Sequence, residues 1–68
     1  MKLSARNLLK GTVVEVTRGA TTSHVRIDIG GSIVTASITN EAVSDLKLKA
    51  GEQAYAVIKA SDVMVAVD

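Results

Sequence analysis

Sixty-eight residues with 8 Lys and Arg against 7 Asp and Glu, a net charge of +1, allow one domain over residues 1–68 and no separate substrate and cofactor modules. The near balance of charge supplies no long-range field to attract a nucleic acid or an anionic membrane surface. With no Cys there is no disulfide framework, thiolate nucleophile or zinc finger, and His24, the single histidine, makes no metal site by itself.

Ten Val, 5 Ile, 5 Leu and 9 Ala, with Tyr55 as the one aromatic, make a β-branched vocabulary that points to strands. A first strand is predicted over residues 8–17, where Gly11 permits a bend or bulge of the kind a small barrel requires. Residues 18–22 form a loop. Ser23–Ile29 then alternates cleanly, with Val25, Ile27 and Ile29 on one face and His24, Arg26 and Asp28 on the other. Gly30-Gly31 turns the chain into a third strand over Ser32–Ile38, completing a hairpin.

At Thr39-Asn40-Glu41 the pattern changes, because Thr or Asn caps a helix and Glu suits its first turn. A short helix is predicted from Asn40 to Leu46, with Ala42, Val43 and Leu46 on one side. After a turn at Ala50-Gly51-Glu52, a fourth strand runs over Gln53–Lys59, with Tyr55 and Val57 opposed to Ala54, Ala56 and Ile58. Ala60-Ser61-Asp62 interrupts it, and Val63, Val65 and Val67 mark a fifth strand. The order is that of an all-β, five-stranded OB-like barrel with one short helix between strands 3 and 4. A core this small needs staples, and without disulfides or a structural metal the expected one is self-association into a homo-oligomer. No run reaches the roughly 20 apolar residues of a membrane span, and Met1-Lys2-Leu3-Ser4 lacks the apolar stretch of a signal peptide, so a cytoplasmic location is expected.

Polar residues that strand packing does not explain are donors. Ser4 and Arg6, if extended, point to one side. Lys59 and Ser61 do likewise, and Thr39 and Asn40 add donors where the helix begins. Hydroxyls, amides and cations without carboxylates suit a deprotonated oxyanion, and nothing suggests catalysis. Taken singly, each of these residues is more often a solvated side chain or an edge guard. Single-stranded nucleic acid, the familiar ligand of such barrels, calls for stacking aromatics and a basic groove that this composition lacks.

Ser4-Ala5-Arg6-Asn7-Leu8-Leu9-Lys10-Gly11 resembles the opening S-A-R-N-x-L-K-G of the molbindins, the molybdenum-pterin-binding or Mop proteins. The likeness continues through Ile38-Thr39-Asn40-Glu41-Ala42-Val43 and Ala56-Val57-Ile58-Lys59-Ala60-Ser61-Asp62-Val63-Met64. The resemblance implies reversible binding of molybdate or tungstate, without an organic cofactor, for molybdenum storage and homeostasis. It further implies a hexamer, assembled as a trimer of dimers, with oxyanion sites between subunits. Contacts would come from Ser4 and Arg6 of one subunit and from Thr39, Lys59, Ala60 and Ser61 of another. A second class of site would fall on the loop Gly19, Ala20, Thr21 and Thr22. One departure stands at Ala42, where relatives often carry a Ser whose hydroxyl reaches the ligand; the backbone N–H is the donor left there. The alternative reading is an oxyanion-sensing regulatory or assembly module acting through protein partners.

Overall fold

The computed structural model describes residues 1–68, and its sheet is organised around one long strand. β1 (Asn7–Arg18) is followed by β2 (Thr22–Asp28), β3 (Ile33–Thr39), the helix α1 (Asn40–Asp45) and β4 (Gln53–Ile58), then by a 3-10 turn at Ala60–Asp62. The strands are antiparallel in the order β3-β2-β1-β4. β1 serves two partners in succession, pairing Asn7 to Thr12 with β4 and Thr12 to Arg18 with β2. A strand shared in this way bends, and the sheet curls into an OB-like half-barrel.

Two features make the bend possible. Gly11 sits where β1 passes from β4 to β2, and a Cβ there would collide with the Asp28 carbonyl oxygen and stand 2.8 Å from Ile27 Cγ2. Only bare backbone fits that approach. The bulge itself lies beyond Gly11, at Val14, where the register skips from Val13↔Ile27 to Glu15↔Arg26. One extra residue inverts the alternation. Leu9 and Val13 face inward before it and Val16 after it, while Glu15 turns out and its Oε1 lies 3.6 Å from Arg26 Nη1.

The core consists of Val13, Val25, Ile27, Val43 and Ala56, with Ser23 the other buried residue. The alternation of β2 is as expected, with Ser23, Val25 and Ile27 inward. Gly30 and Gly31 turn the hairpin at φ +104° and +109°, and both N–H groups donate to Asp28 Oδ1, at 2.9 and 3.0 Å. α1 begins at Thr39, whose Oγ1 accepts from the Ala42 N–H at 3.1 Å, and Val43 anchors it to the sheet. It ends in a Schellman arrangement: Lys47 N–H donates to Ser44 O, Leu48 N–H donates to Val43 O, and Lys47 takes the left-handed conformation at φ 53°. Leu46 is the C-cap and is 65% exposed, so the predicted helix face of Ala42, Val43 and Leu46 reaches the core through Val43 alone.

The sheet has four strands where five are predicted. Beyond the 3-10 turn, Val63, Val65 and Val67 are 48%, 89% and 92% exposed, and no backbone hydrogen bond joins residues 64–68 to the rest. Their alternation is that of a strand, but a strand forms only against an edge, and the tail lies on none. The position of a closing strand is instead an open apolar groove of about 660 Å³ between β3 and β4, lined by Val34, Ala36, Ile38, Leu48, Ala54 and Ile58 among others.

Candidate functional site

The pairing that begins β1 and ends β4 gathers the first donor cluster. Asn7 lies opposite Ile58, and its Nδ2 donates to the Ile58 carbonyl at 3.2 Å. Ser4 and Arg6 just before that pair, and Lys59, Ala60 and Ser61 just after it, therefore emerge at the same end of the sheet, all exposed. Lys59 caps the 3-10 turn without a side-chain bond. Asp62 N–H donates to Lys59 O at 2.9 Å and Val63 N–H to Ala60 O at 3.3 Å, whereas the N–H groups of Ala60 and Ser61 have no partner in the chain. Ion pairs join Arg26 to Glu15 and Lys49 to Glu52; Arg6 and Lys59 are in neither. The cluster thus offers two cations, two hydroxyls and two backbone N–H groups.

The second cluster lies at the other end of β1. Thr22 pairs with Thr39, so the turn of Gly19, Ala20, Thr21 and Thr22 packs beside the start of α1. Gly19 N–H donates to Thr22 O at 2.7 Å, and Asn40 N–H donates to Thr21 O at 2.9 Å. A shallow polar depression is lined by Ala20, Thr21, Thr39, Asn40 and Glu41. The Ala42 N–H, the donor expected to remain where relatives carry Ser, is committed to Thr39 Oγ1. Arg18 Nη2 donates to Ser44 Oγ at 3.1 Å and ties the helix to β1.

The structure accordingly brings Ser4 and Arg6 together with Lys59, Ala60 and Ser61, and Thr39 together with the Gly19–Thr22 turn. The 12 residues of β1 separate the two groups, so Thr39 and Lys59, expected as contacts from the same subunit, stand at opposite ends of β1 and do not meet within one chain. Sequence reasoning missed Ser23 and Arg18 as supports. Ser23 had a usable signal, since it shares the parity of Val25 and Ile27. The contact of Arg18 with Ser44 crosses 26 residues and had none. No group of three or more His, Cys, Asp or Glu side chains is placed to hold a metal cation.

Residues 3–65 match the TOBE domain family. The chain is 48% identical to a probable molybdenum-pterin-binding protein of Haemophilus influenzae over 69 aligned residues, covering 100% of both chains. Its fold superposes on a molybdate-binding protein from Sporomusa ovata with a TM-score of 0.94 at 36% identity, covering 98% of this chain and 100% of that one. It also superposes on the cytoplasmic molybdate-binding protein ModG, with molybdate bound, at a TM-score of 0.89 and 46% identity, covering 94% of this chain and 46% of ModG. The chain belongs to the TOBE-domain family and, within it, to the molybdenum-pterin-binding proteins.

Proposed function

We propose that this chain binds molybdate reversibly, with tungstate as a near-isosteric alternative, and serves molybdenum storage and homeostasis in the cytoplasm without catalysing a reaction. One observation carries the reading: a chain with full-length kinship to molybdate-binding proteins exposes Ser4, Arg6, Lys59, Ala60 and Ser61 at one sheet end, with neither cation paired to a carboxylate. A tetrahedral dianion only accepts hydrogen bonds, and a cluster of hydroxyl, amide and cationic donors answers it. Phosphate at neutral pH largely keeps a proton whose O–H finds few acceptors in such a site. Sulfate has the same charge but shorter bonds, so donor spacing separates it from molybdate.

In this reading the site lies between subunits of a homo-oligomer, a hexamer built as a trimer of dimers. Two observations support it. Arg6 and Thr39 stand at opposite ends of β1, which covers on the order of 30 Å, so an anion touched by both draws on more than one chain. The apolar groove between β3 and β4 lies open while the alternating valines 63, 65 and 67 are exposed, and the tail of a second copy laid in the groove would cover both.

Isothermal titration with molybdate, tungstate, sulfate and phosphate, with sedimentation of the same sample, tests the reading. The expected result is saturable molybdate uptake by an oligomer, with a far weaker response to sulfate. A folded monomer at micromolar concentration, or equal responses to all four anions, refutes it.

A further inference from the structure

An anion site must present donors, yet the turn after β1 brings three carbonyl oxygens, those of Gly19, Ala20 and Thr21, to the same end of the sheet as Thr39. A single residue takes up all three. The Asn40 N–H donates to Thr21 O at 2.9 Å, and its Nδ2 donates to Gly19 O at 3.1 Å and to Ala20 O at 3.4 Å. The amide is held in that orientation from below, because its Oδ1 accepts from the hydroxyl of Ser23. Ser23 is 1% exposed and sits on β2 between Arg18 of β1 and Ile38 of β3, so its donor has a fixed place. A flipped amide would set Oδ1 against two carbonyls and leave Nδ2 facing the Ser23 hydroxyl.

We propose that Asn40 is a positioning residue for oxyanion binding: by capturing the carbonyls of Gly19 and Ala20 with its side-chain amide, beside the Thr21 carbonyl already held by its backbone N–H, it leaves the depression beside Thr39 presenting the hydroxyl hydrogens of Thr21 and Thr39 to an anion. The proposal rests on the reading of Thr39 as an anion contact. The N-cap bond acts in the same direction, since the Thr39 Oγ1 lone pair engaged by the Ala42 N–H leaves the hydroxyl hydrogen as the group free to reach a ligand. With the Asn40 side chain removed, the freed carbonyls of Gly19 and Ala20 would add partial negative charge beside the depression, which Glu41 already lines. A bound dianion is repelled by such groups.

The test compares wild type, Asn40→Ala, Ser23→Ala and Asn40→Asp by molybdate titration at a temperature well below each variant's unfolding. Ser23→Ala removes the buried bond but keeps the carbonyl capture, so it lowers the melting temperature while weakening binding by less than about threefold. Asn40→Ala removes the side-chain capture of Gly19 O and Ala20 O, while the backbone N–H still holds Thr21 O, and weakens binding by about tenfold or more, the loss expected when about two hydrogen bonds of modest net value are undone. Asn40→Asp keeps a partner for Ser23 and secures the comparison should Asn40→Ala fail to fold; it too binds at least tenfold more weakly. An unchanged dissociation constant in either Asn40 variant overturns the proposal, and so do losses of affinity in the Ser23 and Asn40 variants that merely track their melting temperatures. Absence of molybdate binding by the wild type refutes the functional reading instead, which keeps the two failures apart.

Discussion

The side chain of Thr39 links local stability to binding chemistry, because the oxygen that caps α1 belongs to a proposed ligand contact. Other residues serve the backbone alone. Lys47 holds a left-handed conformation that an L-residue adopts at a cost of roughly 1–2 kcal/mol and that Gly adopts freely, the second part of that gain being offset by the greater unfolded-state freedom of Gly. Lys47→Gly is therefore expected to stabilise the fold by up to about 1 kcal/mol, read as a higher urea midpoint at unchanged slope. At the hairpin, the N–H groups of Gly31 and Gly30 hold the Asp28 carboxyl below the usual carboxylate range. A carboxyl depressed in the folded state contributes stability above its unfolded pKa, and that contribution is lost as pH falls through the folded value. Wild type should lose a small increment of stability on acidification below the ordinary Asp range that Asp28→Ala does not lose. Urea midpoints of both proteins from pH 6 down to about pH 2.5 check it, since the difference between them cancels the other carboxylates; parallel curves would contradict it.

At the scale of elements, β1 decides the architecture, and its bend depends on the contact between Gly11 and β2. A Cβ at position 11 meets backbone on β2 and the Ile27 side chain, and a carbonyl fixed in a ladder has little freedom to retreat. Gly11→Ala should cost about 1–3 kcal/mol, the usual range for overpacking, and a melting temperature within a degree of wild type would refute the close approach. Much of this level was legible in the sequence. The alternation of Val25 and Ile27, the Gly30-Gly31 turn and the Thr39 cap each follow from local chemistry, and each forms as read. The bulge at Val14 was not legible, because Val13-Val14 reads as continuous strand and only the burial of Val13 beside the outward Glu15 reveals the shift. Residues 63–67 misled for a different reason: alternation records which side chains favour burial and says nothing of which chain supplies the cover. The donor motifs were visible as residues, but their division into two ends of the sheet depends on the pairings of Asn7 with Ile58 and of Thr22 with Thr39, which no local pattern encodes.

At the scale of the whole molecule, six buried residues of 68 make a small core for a chain with Met64, Val65 and Val67 each about nine-tenths exposed, and association is the proposed remedy. If the oxyanion site is shared as proposed, its geometry imposes a pattern of complementation. Arg6→Ala and Thr39→Ala should each weaken molybdate binding, since a hydrogen bond to a charged group is worth about 1.5–3 kcal/mol. When the two variants are refolded together, a site formed across a mixed interface receives intact Arg6 from one chain and intact Thr39 from the other, so a fraction of the sites regains wild-type affinity. The symmetry-related site of the same interface carries both defects and stays weak. The pair Arg6→Ala with Lys59→Ala asks a finer question, because these residues leave neighbouring ends of β1 and β4 within one chain. Recovery in that mixture shows that an anion takes its guanidinium from one subunit and its ammonium from the next; no recovery, with mixed oligomers verified by native mass spectrometry, shows that both cations come from the same subunit. Failure of the Arg6 and Thr39 pair to complement in verified mixed oligomers removes Thr39 from the Arg6 site, because opposite ends of β1 leave no way for one chain to bring both to the same anion.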